Sequence, residues 1–452
     1  MGVVAPRRRR VGAGWWVAGG CVVLAAVSLA FPFALIYDSW SWAIWARQLA
    51  HGALDTDGLT AWKPLPPLVG LPVAALGGSP AVAWLLAERA AALGALALAY
   101  RLAARRAGVV SGVLAVVLVA LVDGMLRYVA EGYSEPVVVA LLLGAVLAAL
   151  ERRPGVALAA LTGAALIRPE TWPLLVLFAA WLWREVPRMR AWLGVVVAAI
   201  LVLWFGGQWL GSGDPLAGSK LARASSVPDS SFAGVALPFV VAWIGVAAAL
   251  WWGVRRRDAG VLLPAGAAVA WTLAVLFLDG VGYPGIERFL VPAAALWSVV
   301  GAIGLVWLVE EARALGGRAV ATGAVVGLVL VTAGLGLARF EAVGDDAGLV
   351  ADRVELQQDL RQGVTRIGRD RLARSAPCVN VAFQTALAWQ LDVRATQVCA
   401  PLAPPVEGCS TWVLATRNWR VTGPAPPAGP IRVGTVGEWR ISRAQPGTCQ
   451  EA

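Results

Sequence analysis

The sequence contains little charge. Charged residues make up 15% of it and hydrophobic residues 59%, whereas about 25% of a soluble globular domain is charged. This composition excludes an ordinary soluble domain and predicts a chain that has the lipid bilayer as its solvent. Residues that bind zinc are also scarce, with one histidine, five cysteines and no CxxC spacing, which argues against a zinc site.

Two further features are absent. No small-residue cleavage site separates the first apolar run, 15–36, from the polar Asp38, so we interpret this run as a retained helix and not as a secretory signal. No internal repeat is visible of the kind that relates the halves of many transporters. The net charge of +10 does not indicate nucleic-acid binding, because the arginines fall in short clusters between apolar segments.

The sequence does contain long apolar segments, and they predict an all-α polytopic membrane protein with about 11 transmembrane helices. They are residues 15–36, 81–100, 107–122, 136–150, 155–167, 171–183, 191–210, 233–254, 259–278, 289–309 and 319–338. If the N-terminal PRRRR is cytoplasmic, every later arginine cluster between spans falls on the same side, as the positive-inside rule requires. We therefore expect a multi-pass plasma-membrane protein with a cytoplasmic N-terminus.

The C-terminal part differs in composition. We predict a transmembrane domain over 1–340 and a small extracytoplasmic α/β domain over 341–452, in which RVELQQDLRQGVTRI is helical and CVNVAF and STWVLAT form strands. Four cysteines lie in this region, namely Cys378, Cys399, Cys409 and Cys449. On the outer side they can form two disulfides, in any of three pairings; unpaired thiols or a zinc site are the alternatives.

Residues that are costly to place near a membrane gather in the predicted outer loops, which predicts a functional site on that side. They are Asp38, Arg47, His51, Asp55, Asp57, Lys63, Arg127, Glu131, Glu135, Arg168, Glu170, Asp279, Glu287 and Arg288. In the first of these loops, SWSWAIWARQLAHG has the spacing of an amphipathic helix lying in the membrane plane. The prolines of the following WKPLPPLVGLP predict that no uninterrupted helix forms there and that Lys63 stays near the membrane surface.

The order of these motifs resembles that of a known superfamily. YDSWSWAIWARQLAHG, WKPLPP, EGYSEP, LIRPE and GIERFLVP follow one another as in the GT-C membrane glycosyltransferases, which include mannosyltransferase and aminoarabinose-transferase-like families. Members transfer a sugar from a polyprenyl-phosphate donor to an acceptor on the extracytoplasmic side. The resemblance covers roughly residues 15–340, and it implies a glycan, lipid or protein as acceptor.

The resemblance implies a role for particular residues. Asp38 is the expected catalytic base of an inverting displacement, and Lys63, Arg288, Arg168 and Arg127 are the expected ligands of the donor phosphate. Many relatives have two adjacent acids where this chain has Asp38 and Ser39. Glu131, Glu135, Tyr133 and Glu170 are therefore candidates for a second acid or for acceptor binding. No cofactor is expected, and a divalent cation is left open.

Less specific interpretations remain open at this stage. Asp38 can cap the following helix, Lys63 can extend its amine to the interface, and Glu135 and Glu170 can be ordinary helix-start residues. Asp55 and Asp57 have the spacing of a metal-binding pair but also that of turn residues. A transporter or lipid flippase is the alternative function, and a scaffold protein with an oxidised outer domain is a third.

Overall fold

The computed structural model describes residues 12–57, 59–224, 240–375, 377–400, 412–416 and 431–443. The α-helices are α1 Gly12–Ser28, α2 Tyr37–Ala50, α3 Leu65–Ala75, α4 Pro80–Ala120, α5 Met125–Glu131, α6 Glu135–Leu150, α7 Pro154–Ala165, α8 Trp172–Glu185, α9 Arg190–Ile200, α10 Gly207–Ser212, α11 Ala217–Ala224, α12 Val240–Arg256, α13 Ala259–Gly280, α14 Val291–Ile367, α15 Arg369–Ala373 and α16 Gln384–Leu391. Short 3-10 turns cover Pro169–Thr171, Pro187–Met189, Glu287–Leu290, Val381–Phe383 and Ala395–Gln397, and a π-helical stretch, Leu201–Gly206, joins α9 to α10.

Within the described residues, four helices are long and apolar enough to cross a membrane. They are Pro80–Ala120, Pro187–Ser212, Ala259–Gly280 and Glu287–Val320, and the bent pair Met125–Glu131 and Glu135–Leu150 makes a fifth if it is one span. Three shorter apolar helices, Gly14–Ser28, Leu65–Ala75 and Pro154–Ala165, accompany them. The chain is thus a helical membrane protein, and the number of 11 transmembrane helices stays a prediction.

Two of the long helices are bent at glycines. The backbone of α4 leaves helical geometry at Ala107 and Gly108, where Gly108 has φ = 78°, and α14 does so at Gly317 with φ = 66°. Glycine adopts positive φ without the steric cost that other residues meet. Each break falls at or next to a gap between two predicted apolar segments, so the sequence located these interruptions to within a few residues.

The bundle is packed closely where α12 meets α14. Gly245 of α12 lies against Gly301 and Gly304 of α14, and a Cβ atom on Gly304 would come within 1.8 Å of the Gly245 carbonyl oxygen. Small residues of this kind let two backbones approach closely, which is the usual way in which membrane helices associate without a hydrophobic driving force. The pair forms one wall of the apolar core.

The C-terminal part contains a four-stranded sheet in the order β1-β2-β4-β3, formed by Cys378–Val379, Trp412–Thr416, Ile431–Val436 and Trp439–Arg443. The first pair is parallel and the other two are antiparallel. Cys378 and Cys399 form a disulfide, whereas Cys409 and Cys449 lie outside the described residues. Helix α14 continues through residue 340, and the division into domains at that position stays a prediction.

Helix α2 is covered on more sides than an interfacial helix. The sequence predicts an amphipathic helix with one polar edge, but every residue from Ser39 to Ala46 is buried. Helices α3 and α4 pack on it, and α16 also contacts it, with the rings of Trp40 and Trp389 5.7 Å apart. Its orientation relative to the membrane plane stays a prediction.

The segment after Lys63 also differs from expectation. Residues 62–64 are not helical, but LPPLVGLPVAA forms the continuous helix α3, so the predicted interruption is wrong from Leu65 onward. Pro66 and Pro67 lie in the first turn, where backbone N–H groups have no helical acceptor and a missing N–H therefore costs little. Pro72 lies inside the helix without ending it.

Candidate functional site

Asp38 lies in the first turn of α2 and its carboxylate faces two cations. Its Oδ2 atom is 3.6 Å from the Lys63 ammonium and 3.5 Å from a terminal nitrogen of the Arg288 guanidinium. The helix begins after Ile36 without a side-chain cap, so Asp38 does not act as its cap. A negative charge in the first turn is favourable to the helix dipole, and here it also connects three separate segments of the chain.

Lys63 approaches Asp38 from the loop before α3. Its side chain is buried, and the ammonium lies 5.0 Å from the centre of the Trp42 ring, one turn after Asp38. A lysine that only extended its amine to the membrane surface would leave the charge in water. The observed position instead holds the charge inside the protein, over an aromatic face and beside a carboxylate.

Glu135 is the second carboxylate of the site. It is the first residue of α6 and is 1% exposed. Its Oε1 atom accepts a hydrogen bond from Arg168 and lies 3.6 Å from the Nε atom of Arg288. Glu135 therefore holds two guanidinium groups, which is more than an ordinary helix-start residue does.

Arg168 reaches the site from the turn between α7 and α8. Its guanidinium contacts Glu170 at 3.7 Å and lies 4.2 Å from the centre of the Phe289 ring. Both Arg168 and Glu170 are buried. Their charges are tolerated there because they are paired.

These side chains form one connected set, which we call the Asp38 group. It consists of Asp38, Lys63, Glu135, Arg168, Glu170 and Arg288. Arg288 contacts both Asp38 and Glu135 at distances longer than the 2.7–2.9 Å or so of a strong charge-assisted hydrogen bond. Its Nε atom has no hydrogen-bond partner among the described residues. The guanidinium thus retains donors that a phosphate can use.

Electrostatics favours an ionised carboxylate at position 38. Burial by itself raises the pKa of the Asp38 carboxyl, but the charges of Lys63 and Arg288 outweigh it and hold this pKa below its ordinary value. Burial lowers the pKa of the Lys63 ammonium, the charge of Arg168 lowers it further, and Asp38 offsets part of this, giving a pKa of about 8. At neutral pH, Asp38 is therefore a carboxylate and Lys63 is mostly a cation.

A second ionic group lies beside the first. Glu131, which is fully buried, pairs with Arg127 at 3.2 Å and with Arg353 of α14 at 2.9 Å, and Arg127 also lies 3.8 Å from Asp346. We call these four residues the Glu131 group. A cavity of about 260 Å³ separates it from Arg288 and is lined by Arg127, Tyr128, Tyr133, Ile286, Glu287 and Arg288.

No group of three His, Cys, Asp or Glu side chains suited to a metal occurs in the described parts of the chain. The Asp57 backbone N–H donates to the Asp55 carboxylate at 3.0 Å, which is the hydrogen bond of an Asx turn. His51 lies just beyond α2 and its Nδ1 atom contacts the Arg47 carbonyl at 2.8 Å. The first contact corresponds to the interpretation of Asp55 and Asp57 as turn residues.

Compared by sequence, the chain matches no family model and no curated protein. Its structure is similar to that of ArnT from Cupriavidus metallidurans bound to undecaprenyl phosphate, with 14% identity, a TM-score of 0.53, and coverage of 98% of this chain and 100% of that one. It is also similar to the oligosaccharyltransferase AglB from Archaeoglobus fulgidus in complex with an inhibitory peptide and a dolichol-phosphate. There the identity is 11%, the TM-score 0.50, and the coverage 89% of this chain and 69% of that one. The fold that this chain shares with both structures is the GT-C fold.

The GT-C fold brings together most, but not all, of the residues that the motifs predicted. Lys63, Glu135, Arg168, Glu170 and Arg288 gather around Asp38, whereas Arg127 and Glu131 lie in the neighbouring Glu131 group. Arg127 and Glu131 are four residues apart on one helix, a spacing at which opposite charges pair. That spacing was a readable sign that Arg127 has a partner of its own.

Three features of the site region were not anticipated. Arg353 pairs with Glu131 from 222 positions further along the chain, and no local pattern indicates such a contact. Tyr128 lines the cavity, and its ring centre lies 4.8 Å from that of Tyr133. Glu88 is fully buried in α4, and neither carboxylate oxygen has a hydrogen-bond partner among the described residues. An acid inside the apolar segment 81–100 was a sign that could have identified it.

Proposed function

We propose that the protein is a polyprenyl-phosphate-sugar-dependent glycosyltransferase that acts on the outer face of the plasma membrane. The acceptor is a hydroxyl of a glycan, lipid or protein. The fold supports this proposal, because ArnT and AglB, whose structures are similar to this one, were solved with undecaprenyl phosphate and with a dolichol-phosphate. The contact of one carboxylate, Asp38, with both Lys63 and Arg288 is the observation that carries it.

The reaction follows from the charges of the Asp38 group. Asp38 accepts the proton of the acceptor hydroxyl while that oxygen forms a bond to the anomeric carbon of the sugar. The bond between this carbon and the phosphate oxygen breaks, and the electron pair leaves with the phosphate. A single displacement inverts the anomeric configuration. Lys63 and Arg288 stabilise the negative charge that develops on the leaving group.

The remaining charged residues fit supporting roles. Arg168 donates to Glu135, and Glu135 also lies beside Arg288, so we propose that Glu135 orients both guanidinium groups and that Arg168 is a further ligand of the phosphate. Glu170 lies next to Arg168 and limits its movement. Arg127 lines the cavity beside Arg288 and stays a candidate phosphate ligand, although Glu131 already binds it.

The cavity beside Arg288 suits a sugar or an acceptor hydroxyl. It offers the rings of Tyr128 and Tyr133, together with the charged groups of Arg127 and Glu287. Ligand sites commonly combine aromatic surface with a few polar groups that fix orientation. We therefore propose that Tyr133 contributes to acceptor or sugar binding rather than to proton transfer, since the carboxylate of Asp38 is the stronger base at neutral pH.

The decisive experiment replaces the proposed base. We expect Asp38→Asn to insert and fold normally but to lower sugar transfer at least about 100-fold, because it removes general base catalysis. Asp57→Asn is the matched control, since it makes the same chemical change shortly after α2, at an exposed position outside the Asp38 group. Transfer would be measured by mass spectrometry of lipids and glycans from a strain that lacks the gene, complemented with each variant.

The same strain tests the donor class. Without the gene, a polyprenyl-phosphate sugar should accumulate and an under-glycosylated acceptor should appear; the wild-type gene and Asp57→Asn should reverse both changes. Normal transfer by Asp38→Asn would refute the assignment of the base. If loss of the gene changed no lipid-linked sugar, the glycosyltransferase proposal itself would be refuted.

A further inference from the structure

The backbone directly before Asp38 is hydrogen-bonded to the C-terminal part of the chain at Leu35 and Tyr37, and to α5 at Ile36. The side chain of Gln357 in α14 donates to the Leu35 carbonyl at 2.6 Å. The Ile36 backbone N–H donates to the Glu131 carbonyl at 3.3 Å. The Thr385 hydroxyl in α16 donates to the Tyr37 carbonyl at 3.0 Å. Residues 35–37, which lead into α2, are therefore held by hydrogen bonds from other parts of the chain.

Tyr37 is held by its side chain as well as by its carbonyl. Its hydroxyl donates to the Oε1 atom of Gln384 at 3.0 Å. The amide nitrogen of Gln384 donates to the carbonyls of Ala395 and Val398, and these bonds fix which way the amide faces. The Gln384 oxygen that accepts from the Tyr37 hydroxyl is thus held in place by hydrogen bonds that do not involve Tyr37.

The segment that carries Gln384 and Thr385 is itself restrained. The disulfide between Cys378 and Cys399 closes a loop that contains α16, and the Val379 N–H donates to the Cys399 carbonyl at 2.9 Å across the loop base. Phe383, next to Gln384, packs against the Trp439 ring in the core of the C-terminal part. The loop is therefore a firm support, and not a loose surface segment.

We propose that Gln384 and Thr385 are positioning residues, which set the location of the Asp38 carboxylate by holding Tyr37. This inference rests on the proposed function, in which Asp38 is the base. Asp38 directly follows Tyr37 in the chain, so a change in the Tyr37 peptide is transmitted to Asp38 over one Cα–Cα step of about 3.8 Å. A base displaced by about 1 Å can lose a factor of up to about 100 in rate.

The test compares Thr385→Val with two related variants. Thr385→Val removes the hydroxyl at nearly constant volume, and Thr385→Ser restores it. Thr365→Val is the matched control in the same part of the chain, because among the described residues the Thr365 hydroxyl bonds within its own helix, to the Arg361 carbonyl at 3.0 Å. The readouts are transfer kinetics from the polyprenyl-phosphate sugar and hydrogen exchange of peptides that cover residues 33–42.

We expect Thr385→Val to lower kcat about 10-fold with little change in the KM for the donor. The acid limb of the pH profile of kcat should move to higher pH in this variant, because an Asp38 that is less well placed between Lys63 and Arg288 has a higher pKa. Exchange at residues 33–42 should become faster. Thr385→Ser should return these values to within about twofold of wild type, and Thr365→Val should match wild type.

Wild-type kcat, pH profile and exchange in Thr385→Val would overturn the inference, as would equal loss in the valine and serine variants. If Thr385→Val does not fold, Tyr37→Phe removes the other side-chain contact and takes its place under the same criteria. If the wild-type chain transfers no sugar, the proposed function fails, and exchange alone then decides: faster exchange in Thr385→Val supports positioning of the 35–37 segment, and unchanged exchange overturns it.

Discussion

Among the ionic clusters of the described residues, the Asp38 group and a cluster around Glu151 differ in burial and in geometry. In one, Glu151 binds Arg101 and Arg105 at 2.7 Å each and Arg153 at 3.5 Å. The three arginine side chains of this Glu151 cluster are 45–50% exposed. In the Asp38 group, by contrast, the side chains of Glu135 and Arg168 are 1% and 6% exposed, and the contacts of Arg288 are 3.5–3.6 Å long.

The Glu151 cluster lies in the predicted loops that contain the arginine clusters, and the Asp38 group lies in the predicted outer loops. No ion pair within the described part of the chain joins one set of loops to the other. Exposed ion pairs contribute about 0–1 kcal/mol each, so the Glu151 cluster suits a role in orientation. Buried charges are costly unless paired, and the Asp38 group keeps them with donors to spare. Burial with incomplete pairing is what distinguishes a candidate site from charges that only set topology.

The strongest way to break this comparison is to remove one arginine from each cluster. We expect Arg288→Ala to lower transfer roughly 100-fold or more, as the loss of one electrostatic stabiliser of a transition state does. Arg105→Ala should leave transfer within about threefold of wild type. The measurement is the initial rate of transfer by purified protein in lipid nanodiscs. Equal losses in both variants would show that arginine content, and not position, matters.

A smaller effect is expected from the carboxylates at the centre of each cluster. Glu135→Gln leaves Arg168 and Arg288 without their shared anionic partner, so we expect kcat to fall about 10-fold through misplacement of the guanidinium groups. Glu151→Gln makes the same change in the Glu151 cluster and should leave kcat unchanged. Steady-state kinetics on both variants checks this. If the Glu135→Gln variant kept the full kcat, Glu135 would have no role in catalysis.

The pH dependence of transfer sharpens the comparison further. Lys63 has a pKa of about 8, so its charge is present below that pH and is lost above it. Transfer should therefore fall severalfold as the pH rises through about 8. Lys63→Arg should extend the plateau, because a guanidinium stays protonated. Rates at pH 6–10 for both enzymes test this, and an alkaline limb that persists unchanged in Lys63→Arg would assign it to another group.

Much of the bundle and of the Asp38 group was predictable from local patterns. Apolar segments locate the helices because each must satisfy its backbone in lipid, and charges between them stand out because they are costly there. Asp38, Lys63, Arg168 and Arg288 each lie in a short polar interruption of the apolar sequence. The phosphate site was implied by the resemblance of their motifs to those of the GT-C glycosyltransferases, and the structure brings these side chains together.

The docking of the C-terminal part was not predictable in the same way. Thr385 meets Tyr37 across 348 positions, and a threonine at the start of a short helix has no local feature that marks such a contact. The coverage of α2 was missed for the same reason, because periodicity describes one helix and not its neighbours. The error about α3 came in part from counting Pro66 and Pro67, which fall in the first turn of the helix, where prolines are tolerated.

The Glu131 group provides the mildest test. Arg353→Ala removes one of the two cations paired with the buried Glu131, and Arg127 is left to balance it. Breaking a buried pair costs about 3–5 kcal/mol when the charge is left uncompensated, so with one partner retained we expect a smaller loss, seen as a lower melting temperature. Transfer at a temperature below unfolding should stay within about threefold, because Arg353 does not contact the Asp38 group. A loss comparable with that of Arg288→Ala would instead join the two groups into one site.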